Sequence, residues 1–220
     1  MPQKTISINH ELNISKLAIS RDGKNISEPV SFIVVAGSVL CLKGINGSGK
    51  STLMRLIAGF LPIVSGTISL DGKPYLPQQP NCKLPIKYLS NSSGIHPELT
   101  ALQNIIHLRN LHGISIKTDY LEKDFFQISE FIHQPVKYLS AGQRQRLALT
   151  ALLDPTDLSA LWLLDEAETG LDPDSQKQLQ TLITAFSSGG GRVILASHNP
   201  VFQKLASQHL SLLSFQEGGL

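Results

Sequence analysis

Val39-Leu40-Cys41-Leu42-Lys43 runs without a break into Gly44-Ile45-Asn46-Gly47-Ser48-Gly49-Lys50-Ser51-Thr52, and this junction decides the fold. The first five residues are mostly apolar and make a short strand. The glycines that follow let the backbone turn its N–H groups inward around an anion. Residues 51–60 then carry Leu53, Met54, Leu56, Ile57 and Phe60 at helical spacing, so the chain leaves the loop as a helix. Strand, glycine loop and helix in this order form a phosphate cradle, with the positive N-terminal end of the helix aimed at the anion. Lys50 reaches the β- and γ-phosphates of a nucleoside triphosphate as a point charge. The Ser51 hydroxyl is a candidate Mg²⁺ ligand, with Thr52 just behind it. A glycine-rich turn arising by chance would not carry both flanks.

Further along, Leu161-Trp162-Leu163-Leu164-Asp165 is a second apolar strand, and it ends on a carboxylate. Downstream of a phosphate loop such an aspartate holds Mg²⁺, directly or through water. Glu166 comes next and is placed to polarise an attacking water as general base. Between the two motifs lies Leu139-Ser140-Ala141-Gly142-Gln143, followed by the basic run Arg144-Gln145-Arg146. Ser140 caps the helix that follows. Ala141 and Gly142 are small enough for close approach to a phosphate. An ordinary Ser-capped helix explains Ser140 but not the whole run.

The remaining pattern alternates strands and helices. Residues 6–19 and 30–35 read as strands, with a turn at Asp22-Gly23-Lys24-Asn25. Residues 65–72 read as turn, strand and turn, and residues 74–85 as a proline-rich loop. Helical spacing runs over residues 99–121, over 124–133, and from Ser140 to about Leu153. Residues 160–164 and 192–196 are buried strands. A helix over 174–186 and a loop over 187–191 lie between them. This order predicts a mainly parallel, three-layer α/β core. N-terminal antiparallel strands precede it, and a helical lobe at about 92–153 is inserted in it. No internal repeat and no heptad stretch is present.

Bulk properties narrow the function. At 220 residues the chain forms one well-cored domain, with room for a small inserted lobe. Its charged fraction of 16% is below the usual ~25%, which fits a surface partly covered by a partner. A net charge of +2 gives no basic footprint for nucleic acid. Cys41 reads as a small buried hydrophobe and Cys82 as a loop thiol, and neither belongs to a CxxC or Cys/His pattern. A reducing compartment fits. The N-terminus has no signal-peptide core. The longest apolar run, residues 32–42, is interrupted by Gly37 and Ser38. It falls well short of the ~20 residues that cross a bilayer, so a membrane role must come through another chain.

The three motifs in this order resemble the nucleotide-binding subunit of an ATP-binding-cassette (ABC) transporter. Residues 139–143 resemble its LSGGQ-type signature, which in the family covers the γ-phosphate held by a second copy. Gly170-Leu171-Asp172-Pro173 resembles its D-loop, which lines the dimer seam, and His198 resembles its switch histidine. The resemblance spans nearly the whole chain and makes residues 2–220 one cassette. It implies ATP and Mg²⁺ as ligands, with Ser51 and Asp165 on the metal and Glu166 and His198 as catalytic residues. It also implies an ATP-dependent homodimer, integral-membrane partner subunits, and a peripheral place on the cytoplasmic face of the inner membrane. Ser93-Gly94-Ile95-His96-Pro97-Glu98-Leu99-Thr100-Ala101-Leu102-Gln103-Asn104, with Leu111-His112-Gly113 after it, is similar to the haem-exporter ATP-binding subunits of bacterial cytochrome c maturation. Two alternatives stand beside haem export: a cassette of another small-molecule transporter, and a weakly hydrolysing regulatory clamp.

Three positions depart from the family pattern. Alignment on Tyr88-Leu89-Ser90 puts Asn91 where the family's lid carries glutamine. No aromatic stands near Arg21 to stack on adenine, which leaves Arg21 itself as the candidate. Ala167 replaces the proline that commonly follows the catalytic glutamate.

Overall fold

The computed structural model describes residues 11–21, 24–75, 84–90, 94–111, 124–153 and 158–213. The N-terminal strands are β1 (Glu11–Leu17), β2 (Ser20–Arg21), β3 (Lys24–Asn25), β4 (Val30–Val35) and β5 (Val39–Lys43). After α1 (Lys50–Ile57) come β6 (Thr67–Leu70), β7 (Lys73–Pro74) and β8 (Ile86–Ser90). Next are α2 (Ala101–Leu111), α3 (Ala141–Leu149), β9 (Leu161–Asp165), α4 (Pro173–Ser188), β10 (Arg192–Ala196), α5 (Pro200–Gln203) and β11 (Gln208–Ser211).

Two sheets carry the fold. β4, β1, β6 and β7 form an antiparallel sheet, while β11, β5, β10, β9 and β8 form a parallel one, each in that order. Every residue of β9 and β10 is buried, which is why these strands read as unbroken apolar runs and not as alternation. Their two-residue period sends Leu161, Leu163, Ile194 and Ala196 to one face, against α1 and the antiparallel sheet. Trp162, Leu164, Val193 and Leu195 go to the other, against α3 and α4. Each fully buried large side chain contributes about 1.5–3 kcal/mol, so both faces must be covered and the molecule is layered. On the second face Trp162 stacks on Phe186, with centroids 3.8 Å apart and rings 3° from parallel. Cys41 is fully buried, as the sequence suggested, and burial pushes its thiol up. Cys82 lies outside the described residues.

The structure corrects the sequence reading in several places, among them Pro74, which pairs in β7 with β6, and α4, which runs on to Ser188. Residues 124–133 form no α-helix. Phe125–Glu130 is a 3-10 segment with positive φ at Phe126 and Gln127. The Asp124 carboxylate accepts hydrogen bonds from Ser129 N and Oγ, a local turn that competes with the helical ladder, while Phe126 and Ile128 are buried. Lys24 and Asn25 form a strand paired with β2, and Asp22 and Gly23 lie outside the described residues. The helix from Ser140 ends at Leu149 and tightens into a 3-10 turn over Thr150–Leu152. Finally β8 and β11, at the two edges of the parallel sheet, add strands beyond those read from the sequence.

Candidate active site

Register gathers the site. Leu42 of β5 and Asp165 of β9 both pair with Ala196 of β10. Asp165 also pairs with Ser90 of β8. Four strands therefore end level, and the loops that leave them carry the phosphate loop, Glu166, His198 and the start of the Asn91 segment. Ligands of open α/β sheets bind at this carboxyl edge. Asn91 itself, and the Arg21 side chain, lie outside the described residues.

The phosphate loop is shaped by three left-handed glycines, Gly44 (φ 149), Gly47 (φ 84) and Gly49 (φ 100). A Cβ on Gly49 would stand 2.9 Å from Ile19 Cγ2. Gly49 caps α1 without a side chain, and the first turn holds no acidic residue. The helix N-terminus is thus left to an anion. Lys50 is 7% exposed and donates to the carbonyls of Gly44 (2.8 Å) and Ile45 (3.1 Å), so its charge is held inside the loop without a carboxylate partner among the described residues. The Ser48 hydroxyl is buried with no hydrogen-bond partner among the described residues, an arrangement that costs free energy until an acceptor arrives. Ile45, Asn46 and Gly47 are exposed at the tip, and Ser51 and Thr52 are half-buried on α1. These features fit a triphosphate. The Ser51 hydroxyl and the Asp165 carboxylate supply the hard oxygens that Mg²⁺ prefers.

At the end of β9, Asp165 is 8% exposed and accepts a hydrogen bond from Tyr88 Oη at 3.2 Å. Burial is the main cause that raises the Tyr88 pKa, so the phenol stays a donor. Glu166 takes a left-handed backbone, φ 52, and its N–H donates to Ala196 O at 2.9 Å. A non-glycine residue held there costs on the order of 1–3 kcal/mol and persists only where its surroundings insist on it. The turn aims the Glu166 carboxylate at His198, with Oε1 3.6 Å from Nε2. Both side chains remain open to solvent, which a base acting on water requires. Glu168 beneath them is buried and accepts from Ser197 Oγ.

Residues 139–143 owe their pattern to helix initiation. Ser140 Oγ accepts from Gln143 N (3.1 Å) and Gln143 Oε1 accepts from Ser140 N (2.8 Å), a reciprocal capping box. Leu139 is buried, and its carbonyl accepts from the Arg144 guanidinium. A Cβ on Gly142 would meet Gly170 O at 2.9 Å, so this glycine is needed inside the chain. Ala141 is exposed. Gln145 Nε2 donates to Ala167 O at 2.7 Å, tying this helix to the loop that carries Glu166. Asp172 caps α4 through Ser175 N at 2.8 Å.

The sequence reading gives no role to Tyr88, Gln145 or Ser197, and offers Glu168 only as the second choice of base after Glu166. Each acts through a partner 22 to 77 positions away, a separation that spacing does not reveal. A cavity of about 220 Å³ opens beside the site, lined by Ala58, Phe60, Tyr88, Ile95, Leu108 and Ala148.

A family model described as ABC transporter matches residues 27–169. The cytochrome c biogenesis ATP-binding export protein CcmA of Chelativorans sp. (strain BNC1) is 33% identical over 190 residues, 86% of this chain and 92% of its own. Its namesake from Pseudomonas aeruginosa is 34% identical, covering 86% of this chain and 93% of its own. A solved structure described as the ATP binding subunit of an ABC transporter has a TM-score of 0.79 at 22% identity, over 91% of this chain and 85% of its own. The chain belongs to the ABC transporter family and is one of its ATP-binding, ATP-hydrolysing cassettes.

Proposed function

We propose that this cassette powers the haem exporter of cytochrome c maturation from the cytoplasmic face of the inner membrane. As an ABC ATP-binding subunit it works with membrane transporter subunits, and none of its described helices is long and apolar enough to cross a bilayer. The cargo reading is supported by the relatives whose name places them in cytochrome c biogenesis.

The observation that carries the hydrolytic reading is the Glu166–His198 pair, 3.6 Å apart at the carboxyl edge of the sheet that also holds Lys50. Lys50 and the N–H groups at the start of α1 hold the β- and γ-phosphates. Ser51 and Asp165 hold Mg²⁺, which when bound neutralises charge on the phosphoryl oxygens. Glu166 accepts the proton of the attacking water, and His198 orients on the γ-phosphate. Leu139, Ser140, Ala141, Gly142 and Gln143 of a second copy close over the nucleotide, with Asp172 at the seam, in an isologous dimer with two equivalent sites. The lobe at about 92–153, the Asn91 lid and the cavity beside Phe60 receive the membrane subunits.

Three measurements test this. Glu166→Gln keeps shape but is no base, so turnover falls about 10²–10⁴-fold while ATP still binds. The same variant shifts from monomer to dimer on adding ATP, seen by light scattering; a mass that stays monomeric rejects self-sufficient closure. Removing the cassette from its host abolishes haem-stained c-type cytochromes and spares b-type ones; unchanged c-type staining rejects the cargo.

A further inference from the structure

Glu168 and Ser197 are 7% and 4% exposed, beneath the Glu166–His198 pair. Ser197 Oγ donates to Glu168 Oε1 and accepts from Asn199 N at 3.0 Å, so one hydroxyl joins both sides. Glu168 stands two residues after Glu166, and Ser197 one residue before His198. The bond therefore crosses between the loop that leaves β9 and the loop that leaves β10. The rest of each loop is fastened separately: Gln203 Nε2 holds Ser197 O at 2.9 Å, and Leu171 N donates to Glu168 O at 3.2 Å.

A carboxyl is an expensive group to bury. Leucine would fill the same place without desolvating a polar head. Packing alone therefore gives no reason for a glutamate here, whereas the hydrogen bond does. The left-handed backbone at Glu166 needs such support, because it persists only where neighbours over-determine it.

We propose that Glu168 is a positioning residue: its carboxyl, held by the Ser197 hydroxyl, locks the two loops so that Glu166 and His198 face each other. It touches no reacting atom and acts through Glu166. Burial, reinforced by the nearby Glu166 charge, raises its pKa. The inference rests on the reading of Glu166 and His198 as the hydrolytic pair.

The full-length cassette tests it. Steady-state hydrolysis of MgATP, ATP affinity by calorimetry and circular dichroism are recorded for Glu168→Ala, Glu168→Gln, Ser197→Ala and the Glu168→Ala/Ser197→Ala double variant. Loosening a positioned group costs about 10- to 100-fold in rate. Each alanine variant loses that much kcat, while KM and ATP affinity stay within about two-fold, as expected when an interaction acts only on the chemical step. The double variant is no worse than the poorer single one, because one bond is lost once. Glu168→Gln keeps most of the activity, since its amide oxygen still accepts from Ser197. Additive losses, unchanged kcat in either alanine variant, or a Gln variant as poor as Ala overturns the proposal. If Glu168→Ala does not fold, Ser197→Ala, which removes one oxygen, decides alone. Glu166→Gln run alongside separates the two readings: if it still turns over, the hydrolytic pair is wrong. If it is dead while Ser197→Ala is normal, only the positioning role falls.

Discussion

Lys50 and Tyr88 make the sharpest single-residue tests, because the proposed site gives each a different task. Lys50 sits between two carbonyls of its own loop, 2.8 and 3.1 Å away, and phosphate oxygens are better acceptors for an ammonium. Lys50→Ala should abolish ATP binding by calorimetry while leaving the fold intact. Tyr88 Oη donates to Asp165, which fixes the carboxylate a metal would share. Tyr88→Phe deletes that donor and keeps the ring that meets Phe60 edge-on at 5.5 Å. Groups that orient metal ligands are worth about 10–100-fold in affinity or activity. The Mg²⁺ concentration for half-maximal hydrolysis should rise accordingly, with ATP affinity in the absence of metal unchanged. Glu168 makes a pH prediction. Its folded pKa is raised above the ordinary 4.5, chiefly by burial, with Glu166 adding to the rise and Ser197 and His198 opposing it. The carboxyl's contribution to stability is therefore complete below that value and lost as pH rises through the folded pKa. Glu168→Gln cannot ionise, so its melting temperature should gain on the parent as pH climbs from about 4 to 8; a constant difference rejects the raised pKa.

At the scale of elements, what was legible in sequence depended on whether the cause was local. β4, β5 and β10 fall at the residues expected, because buried strands are short apolar runs between turn residues. The phosphate loop and its helix follow from glycines and spacing alone. β8 was not legible: it is five residues long beside a proline-rich loop, and its pairing with β9 defines it. β11 presents mostly exposed side chains and is a strand only because β5 supplies hydrogen bonds. Asn104 is a further case. It stands in the run 93–104 with no evident role, yet it is fully buried and bonds His96 through both N (2.8 Å) and O (3.0 Å). Asn104→Ala should destabilise the lobe by about 1–3 kcal/mol, since the His96 backbone groups lose their partner. Denaturant unfolding measures it. Asp172 is the α4 cap as well as a seam candidate, and hydrogen bonds from Ser175 lower its pKa. Asp172→Ala should cost about 0.5–2 kcal/mol from the cap alone, so any dimer defect must be compared with Asp172→Asn.

At the scale of the whole molecule, β8 links the carboxyl edge of the sheet to the cavity beside Phe60. Its Tyr88 touches Asp165 on one side and lines the cavity on the other. Leu99 and Ile105 stand where the helical lobe begins, and the sequence leaves Ile105 open as a groove position or as lobe core. Ile105 is in fact 9% exposed and packed in the lobe core with Phe126 and Leu147, so Ile105→Asp would unfold the lobe and report nothing about docking. Phe60 is the better probe. It is 64% exposed at the end of α1 and lines the cavity. A large exposed aromatic beside an apolar hollow is what a partner covers. Phe60→Asp should leave basal hydrolysis and the melting temperature close to those of the parent, because the side chain supports no core. It should weaken recovery with the membrane subunits, since burying the new charge against an apolar partner is costly. Co-purification and partner-stimulated ATPase measure both halves. If stimulation and recovery survive while basal hydrolysis falls, Phe60 supports Tyr88 and the metal site, and the docking surface lies elsewhere on the lobe.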